Sequence, residues 1–288
     1  MIKDKFFLEE VQMKISSLFT YGLSGAIACL VAFMPNPANA VTETAESGNV
    51  RAEISYERSE DSFQVVNLRL KISREGQIIL DGEIPRNDRE YDRPYLTEDN
   101  PQSWVQDLDG DNEPEIIVTI FTGGAHCCFY SLIYRYDPVS QQYTYINHNW
   151  GDGAGIPKIE DLDNDGIPEF NSGDTSFAYA FTAYAFSAFP PQIWQYRQGT
   201  MTDVTRNFPK KVYSHATQLW ESYEHINREY EDNPETIRGV LAAYLATKYL
   251  LGEPEDGWQR VQQAYQHSDR RSFFSDLREF LQKNGYIQ

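Results

Sequence analysis

Two nine-residue segments, Asp107-Leu108-Asp109-Gly110-Asp111-Asn112-Glu113-Pro114-Glu115 and Asp161-Leu162-Asp163-Asn164-Asp165-Gly166-Ile167-Pro168-Glu169, carry carboxylates at positions 1, 3, 5 and 9. Four acids in so short a stretch repel one another unless a cation compensates them. Calcium, a hard ion that takes about six to eight oxygens, suits such a curl of backbone. The spacing nominates Asp107, Asp109, Asp111 and Glu115 as ligands, with the carbonyl of Glu113 at position 7. In the second segment the set is Asp161, Asp163, Asp165 and Glu169, with the carbonyl of Ile167. Gly110, Asn112 and Gly166 tolerate the left-handed backbone angles that such a loop demands. Neither segment is an EF-hand, because position 12 is Val118 in one and Ser172 in the other, where that motif needs a bidentate glutamate. The plain alternative is a pair of acidic turns without metal; their duplication at equivalent places favours the cation.

A second chemistry is offered by Cys127 and Cys128, which follow His126. Adjacent Cα atoms lie about 3.8 Å apart, below the usual disulfide span of about 4.4–6.8 Å, so a vicinal bridge would be strained and comparatively reducible. Three readings stand: a vicinal disulfide that stiffens a turn, two buried thiols, or a redox or soft-metal site with His126. A third candidate is the aromatic run Phe177, Tyr179, Phe181 and Tyr184. Its period of two reads first as the buried face of a strand, with a bulge or turn before Tyr184, and second as an exposed platform for a sugar or peptide ligand. No Gly-x-Ser-x-Gly, His-Glu-x-x-His or phosphate-binding glycine loop occurs.

The elements that must position these groups form a repeat. Ile133-Tyr134-Arg135-Tyr136 recurs as Ile193-Trp194-Gln195-Tyr196 at an offset of 60, whereas the acidic segments are offset by 54, so the second copy holds six extra residues between the landmarks. Each copy reads as acidic loop, strands and an aromatic hairpin. The alternating runs 63–72 and 77–84, joined at Glu75-Gly76, add a further hairpin. Residues 41–49 read as a loose end and 86–103 as a long surface loop. The fold class is therefore mainly β over 41–208, built as propeller-like blades, three small sheets or one irregular sandwich. From 209 to 288 the periodicity is helical. Ile237, Val240, Leu241 and Tyr244 are spaced by three and four residues behind the Asn233-Pro234 start and ahead of Gly252, and three further helices complete a small bundle.

These loops resemble those of FG-GAP and VCBS repeats, as in the integrin alpha-chain propeller, where such turns bind calcium at the blade edge. The resemblance covers about 100 of the 288 residues. It implies calcium ligation by the same aspartates and glutamates named above. The Phe-Gly and Gly-Ala-Pro landmarks are absent, with Thr122-Gly123-Gly124-Ala125 the nearest approach. The wider pattern, from Gly-Gly-Ala-His-Cys-Cys to Asp203-Val204-Thr205-Arg206-Asn207-Phe208-Pro209, is similar to a family of uncharacterised exported bacterial proteins.

Residues 1–40 have the parts of a signal peptide: Lys14, the apolar run Ile15–Met34, and Ala38-Asn39-Ala40 after helix-breaking Pro35 and Pro37. Met13-Lys14 is the conventional opening of such a leader and a candidate true start. Cleavage before Val41 removes three lysines and three acids, so the mature chain keeps the net charge of −18. That charge repels nucleic acid and anionic lipid and attracts divalent cations. The sequence therefore predicts an exported protein, periplasmic or extracellular, with calcium as its cofactor and no stable membrane insertion after cleavage. Its expected role is non-catalytic, in adhesion or envelope scaffolding, with a protein or glycan partner and no nucleic acid. The alternatives are an exported, glycan-acting enzyme braced by the loops, and a thiol redox protein using Cys127 and Cys128.

Overall fold

The computed structural model describes residues 40–58, 64–88, 90–95, 104–230 and 233–287, without the side chain of Cys127. The expected leader thus lies outside the described residues up to residue 39. The described residues belong to one compact unit.

The alternating runs become three successive antiparallel sheets that do not close into a barrel. The first is a meander of β1 (Ala40–Ser47), β2 (Val50–Arg58), β3 (Val65–Arg74) and β4 (Gln77–Glu83). Its expected β3–β4 hairpin turns at Glu75 and Gly76, both with positive φ. Strand β1 replaces the loose end expected over 41–49. It pairs with β2 along its whole length but buries only Ala45, which left little apolar pattern to read.

The second sheet holds β5 (Arg93–Pro94), β6 (Val105–Gln106), β7 (Glu115–Phe121), β8 (Cys127–Asp137) and β9 (Gln142–Asp152), with β5 and β6 both pairing with β7. The long loop expected over 86–103 is therefore interrupted by β5. Beside it the buried Asp92 carboxylate accepts from the Tyr130 hydroxyl at 2.6 Å and from the amides of Asn87 and Asp88. The third sheet is β10 (Lys158–Glu160), β11 (Glu169–Gly173), β12 (Pro191–Arg197) and β13 (Thr200–Asp203). Its four strands follow an acidic-loop pattern that matches β6 to β9. One apolar core, including Ile54, Leu70, Ile116, Ile133, Phe170 and Tyr196, runs through all three sheets.

Four helices follow: α1 (Pro209–Glu229), α2 (Pro234–Leu250), α3 (Pro254–Ala264) and α4 (Arg270–Lys283). Helix α2 starts as expected, with the Asn233 side chain accepting from the Glu235 amide and Pro234 in the first turn. It is buried almost all round, which explains its apolar and small residues on every face. Among the described residues, no helix is long and apolar enough to cross a membrane.

The two regions are joined by the long β11–β12 connection. Its aromatic run is not a strand; it forms short 3-10 turns at Thr175–Phe177 and Tyr184–Phe186. Phe177 packs edge-on to Phe280 and Tyr286, and Phe181 does so to Phe273 and Phe280. At Gly239 the connection passes so close to α2 that an added Cβ would stand 2.5 Å from the Phe186 carbonyl oxygen. Tyr286 donates to Asp174 at 2.7 Å, and Arg206 donates to the carbonyls of Tyr249 and Leu250.

Candidate metal centres

Each acidic segment is the turn that leads into the second strand of its copy, and its glutamate is the first residue of that strand. The aspartate at position 1 organises the turn by accepting from its own backbone. Asp107 takes the amides of Asp109, Gly110 and Asn112, and Asp161 takes those of Asn164, Asp165 and Gly166. The position-9 glutamate closes the loop from the other side. Glu115 accepts from the Leu108 amide and Glu169 from the Leu162 amide, each at 3.0 Å. Left-handed backbone falls on Gly110 and Asn112 in one loop and on Asn164 and Gly166 in the other, so glycine and asparagine exchange places between copies.

The turns bring carboxylates together. Asp107, Asp109 and Glu115 each offer an oxygen within 4.8 Å of the others, and so do Asp161, Asp163 and Glu169. Asp111 and Asp165 stand outside these trios: each caps an amide two residues on, and Asp111 also faces Arg135. The side chain of Glu113 is turned away to pair with both terminal nitrogens of Arg74.

The first centre is the more enclosed. Glu115 is fully buried and the Asp109 side chain is 4% exposed, yet Glu115 Oε1 and Asp109 Oδ1 have no hydrogen-bond donor. Burial, with the charges of Asp109, Asp111 and Asp107, pushes the Glu115 carboxyl up to about 8. Burial and the three aspartates of its own loop raise Glu169 as well. Oxygens of this kind, buried without a donor, are the partners a hard cation takes, so the first trio fits calcium in donor chemistry, while the second offers three converging carboxylates of which only Glu169 is buried.

Several neighbours of the first loop were not singled out in the sequence. Arg135 lies 3.0 Å from Asp111 and 3.8 Å from Glu115, and the Gln198 amide donates to Asp109 at 2.9 Å. Ile167 of the second loop packs over Gly110 of the first. In the second copy Gln195 takes the place of Arg135 and donates to Glu169 at 3.1 Å. The signal was present in the repeat itself, since Arg135 and Gln195 are the residues that differ in charge between the two matching tetrapeptides.

The remaining candidates separate. Cys128 is disulfide-bonded, and its amide donates to the Thr122 hydroxyl at 2.7 Å; the Cys127 side chain lies outside the described residues. The His126 ring lies 4.1 Å from that of Tyr184. The platform expected of Phe177, Tyr179, Phe181 and Tyr184 does not hold as a set. Phe177 is buried and Phe181 partly so, because both fill the helical core, while Tyr179 is 57% exposed and Tyr184 partly exposed.

Comparison with known proteins gives a family match within the helical region. Residues 212–285 match the sll0997 C-terminal domain. The chain is 30% identical over 217 residues to a protein of Synechocystis sp. named "Probable thylakoid lumen protein sll0997", a match covering 64% of this chain and 60% of that one. It is 31% identical over 200 residues to "Uncharacterized protein y4bJ" of Sinorhizobium fredii, covering 61% of this chain and 30% of the relative. The chain thus spans less than two thirds of the length of either relative. No solved structure matches.

Proposed function

We propose that this is an exported, non-catalytic protein whose β region binds calcium through the loops 107–115 and 161–169, in a binding or scaffold role toward a protein or glycan. The observation that carries this reading is the repeated convergence of three carboxylates at equivalent places, with buried oxygens lacking donors in the first loop. The resemblance to FG-GAP and VCBS loops supports the same ion. Export is supported by the leader-like sequence of residues 1–40 and by the name of the Synechocystis relative, a probable thylakoid lumen protein.

Extracellular calcium modules bind at about 0.1–1 mM, so 10 mM calcium adds roughly 1.4–2.7 kcal/mol per site when only the folded state binds. Thermal unfolding in EDTA and in 10 mM calcium is the test. A calcium-dependent rise of about 5 °C or more is expected. It shrinks in Asp107→Ala and in Asp161→Ala. The comparison is made within each variant, because both aspartates also hold backbone amides. An equal midpoint with and without calcium in the parent protein refutes the reading.

A further inference from the structure

The two loops share four internal hydrogen bonds, donated by the amides of Leu108, Gly110, Asn112 and Glu113 in the first and of Leu162, Asn164, Gly166 and Ile167 in the second, but they differ in what faces them. The first contains five carboxylates, and two arginines reach it. Arg74 engages Glu113, while Arg135 lies 3.0 Å from Asp111, 4.0 Å from Asp109 and 3.8 Å from Glu115. The second contains four carboxylates, and among the described residues no ion pair to any of them is found. Its counterpart of Arg135 is the neutral Gln195, whose amide donates to Glu169 and whose carbonyl oxygen accepts from Arg197 at 2.9 Å. A guanidinium there is one side chain further from the acids.

Arg135 is held in place by its strand. Its backbone pairs with Thr144 of β9, and its side chain is 31% exposed, so the guanidinium is committed to the acidic side and only partly screened by water. Its Nε is buried without a hydrogen-bond partner, close to Glu115 Oε1, which also lacks a donor. These two groups sit near each other without forming a hydrogen bond. A divalent ion that enters the trio of Asp107, Asp109 and Glu115 meets this fixed positive charge at close range. An ion that enters Asp161, Asp163 and Glu169 meets an amide.

We propose that Arg135 is a built-in competitor of calcium at the first loop, so that the two loops bind the ion with unequal affinity and the second fills first. The proposal rests on the calcium reading given above and adds an order of filling to it. Site affinity in such loops follows ligand charge, and moving one unit of charge off the site is expected to change it about tenfold.

Titration calorimetry of the purified protein with calcium chloride tests this, with Asp107→Ala and Asp161→Ala assigning each binding event to a loop. The parent is expected to show a tighter and a weaker site, the tighter lost in Asp161→Ala. In the Asp161→Ala background, Arg135→Gln tightens the remaining site about tenfold, and Arg135→Lys, which keeps the charge, leaves it weak. Reciprocally, Gln195→Arg weakens the second site about tenfold, which provides a test that does not depend on the stability of Arg135→Gln. Two equal sites, or a first-loop affinity that Arg135→Gln does not move, overturn the proposal while leaving calcium binding intact. No calcium uptake by any variant, Arg135→Gln included, overturns the calcium reading itself and the proposal with it.

Discussion

The two copies of the acidic repeat share a strand order and a turn, yet the molecule uses them differently. The first copy sits in the middle of the β region. Its loop is touched from the first sheet by Arg74 and from the third by Gln198 and Ile167. The second copy has an exposed loop, and its β11–β12 connection reaches away to the helices. Five residues join β7 to β8, whereas seventeen join β11 to β12, and the longer link brings Phe177, Phe181 and Phe186 onto α2 and α4. Duplication supplied two similar frames. Residues outside the frames made one a joint between sheets and the other an anchor for helices.

The largest effect expected from disturbing this division is at Phe177. The side chain is 2% exposed and wedged against Phe280 and Tyr286, so Phe177→Ala should cost about 3–5 kcal/mol in urea unfolding. A cost below about 1 kcal/mol would mean that the connection merely lies over the helices.

A smaller effect belongs to the first copy. The Arg74 and Glu113 side chains are 20% and 21% exposed, and they tie the first sheet to the first loop while the guanidinium covers the Tyr136 ring at 4.4 Å. A double-mutant cycle of Arg74→Ala and Glu113→Ala should give a coupling of about 1–2 kcal/mol, between the values typical of exposed and buried pairs. Ile167 holds the place of Glu113 in the second copy, so Ile167→Ala combined with Arg74→Ala should show additive costs. Equal coupling in the two cycles would erase the distinction between the loops.

The smallest effect concerns the seam between the copies. His148 of β9 lies between Trp150 of its own sheet and Trp194 of the third, with ring centroids at 4.2 and 4.6 Å, and its Nε2 is buried without a partner. Burial lowers its pKa from 6.5. The folded state therefore favours the neutral ring, and its contribution is fully present above about pH 6.5. It is lost as the pH falls from there through the lowered folded value. His215, also lowered by burial, acts in the same direction. Unfolding followed from pH 8 to 5 should thus show a shallower decline in His148→Gln than in the parent. Parallel curves would remove His148 from the seam's pH response.

Much of this architecture was legible because it is local. The position-1 aspartates bond to amides within five residues, glycine or asparagine supplies each left-handed angle, and Asn233-Pro234 starts α2 within a single turn. Such contacts are fixed by chain geometry over a few residues, so residue type and spacing determined both acidic loops, the β3–β4 hairpin and the helical region. The tertiary structure alone decided what depends on distant partners. It made a strand of residues 40–47, whose hydrogen bonds come from β2 while only one side chain is buried. It placed Phe177 and Phe181 in the helical core instead of on a platform. It set Arg135 against one acidic loop and Gln195 against the other, because antiparallel pairing of β7 with β8 and of β11 with β12 brings together residues that lie 20 or more positions apart in the chain.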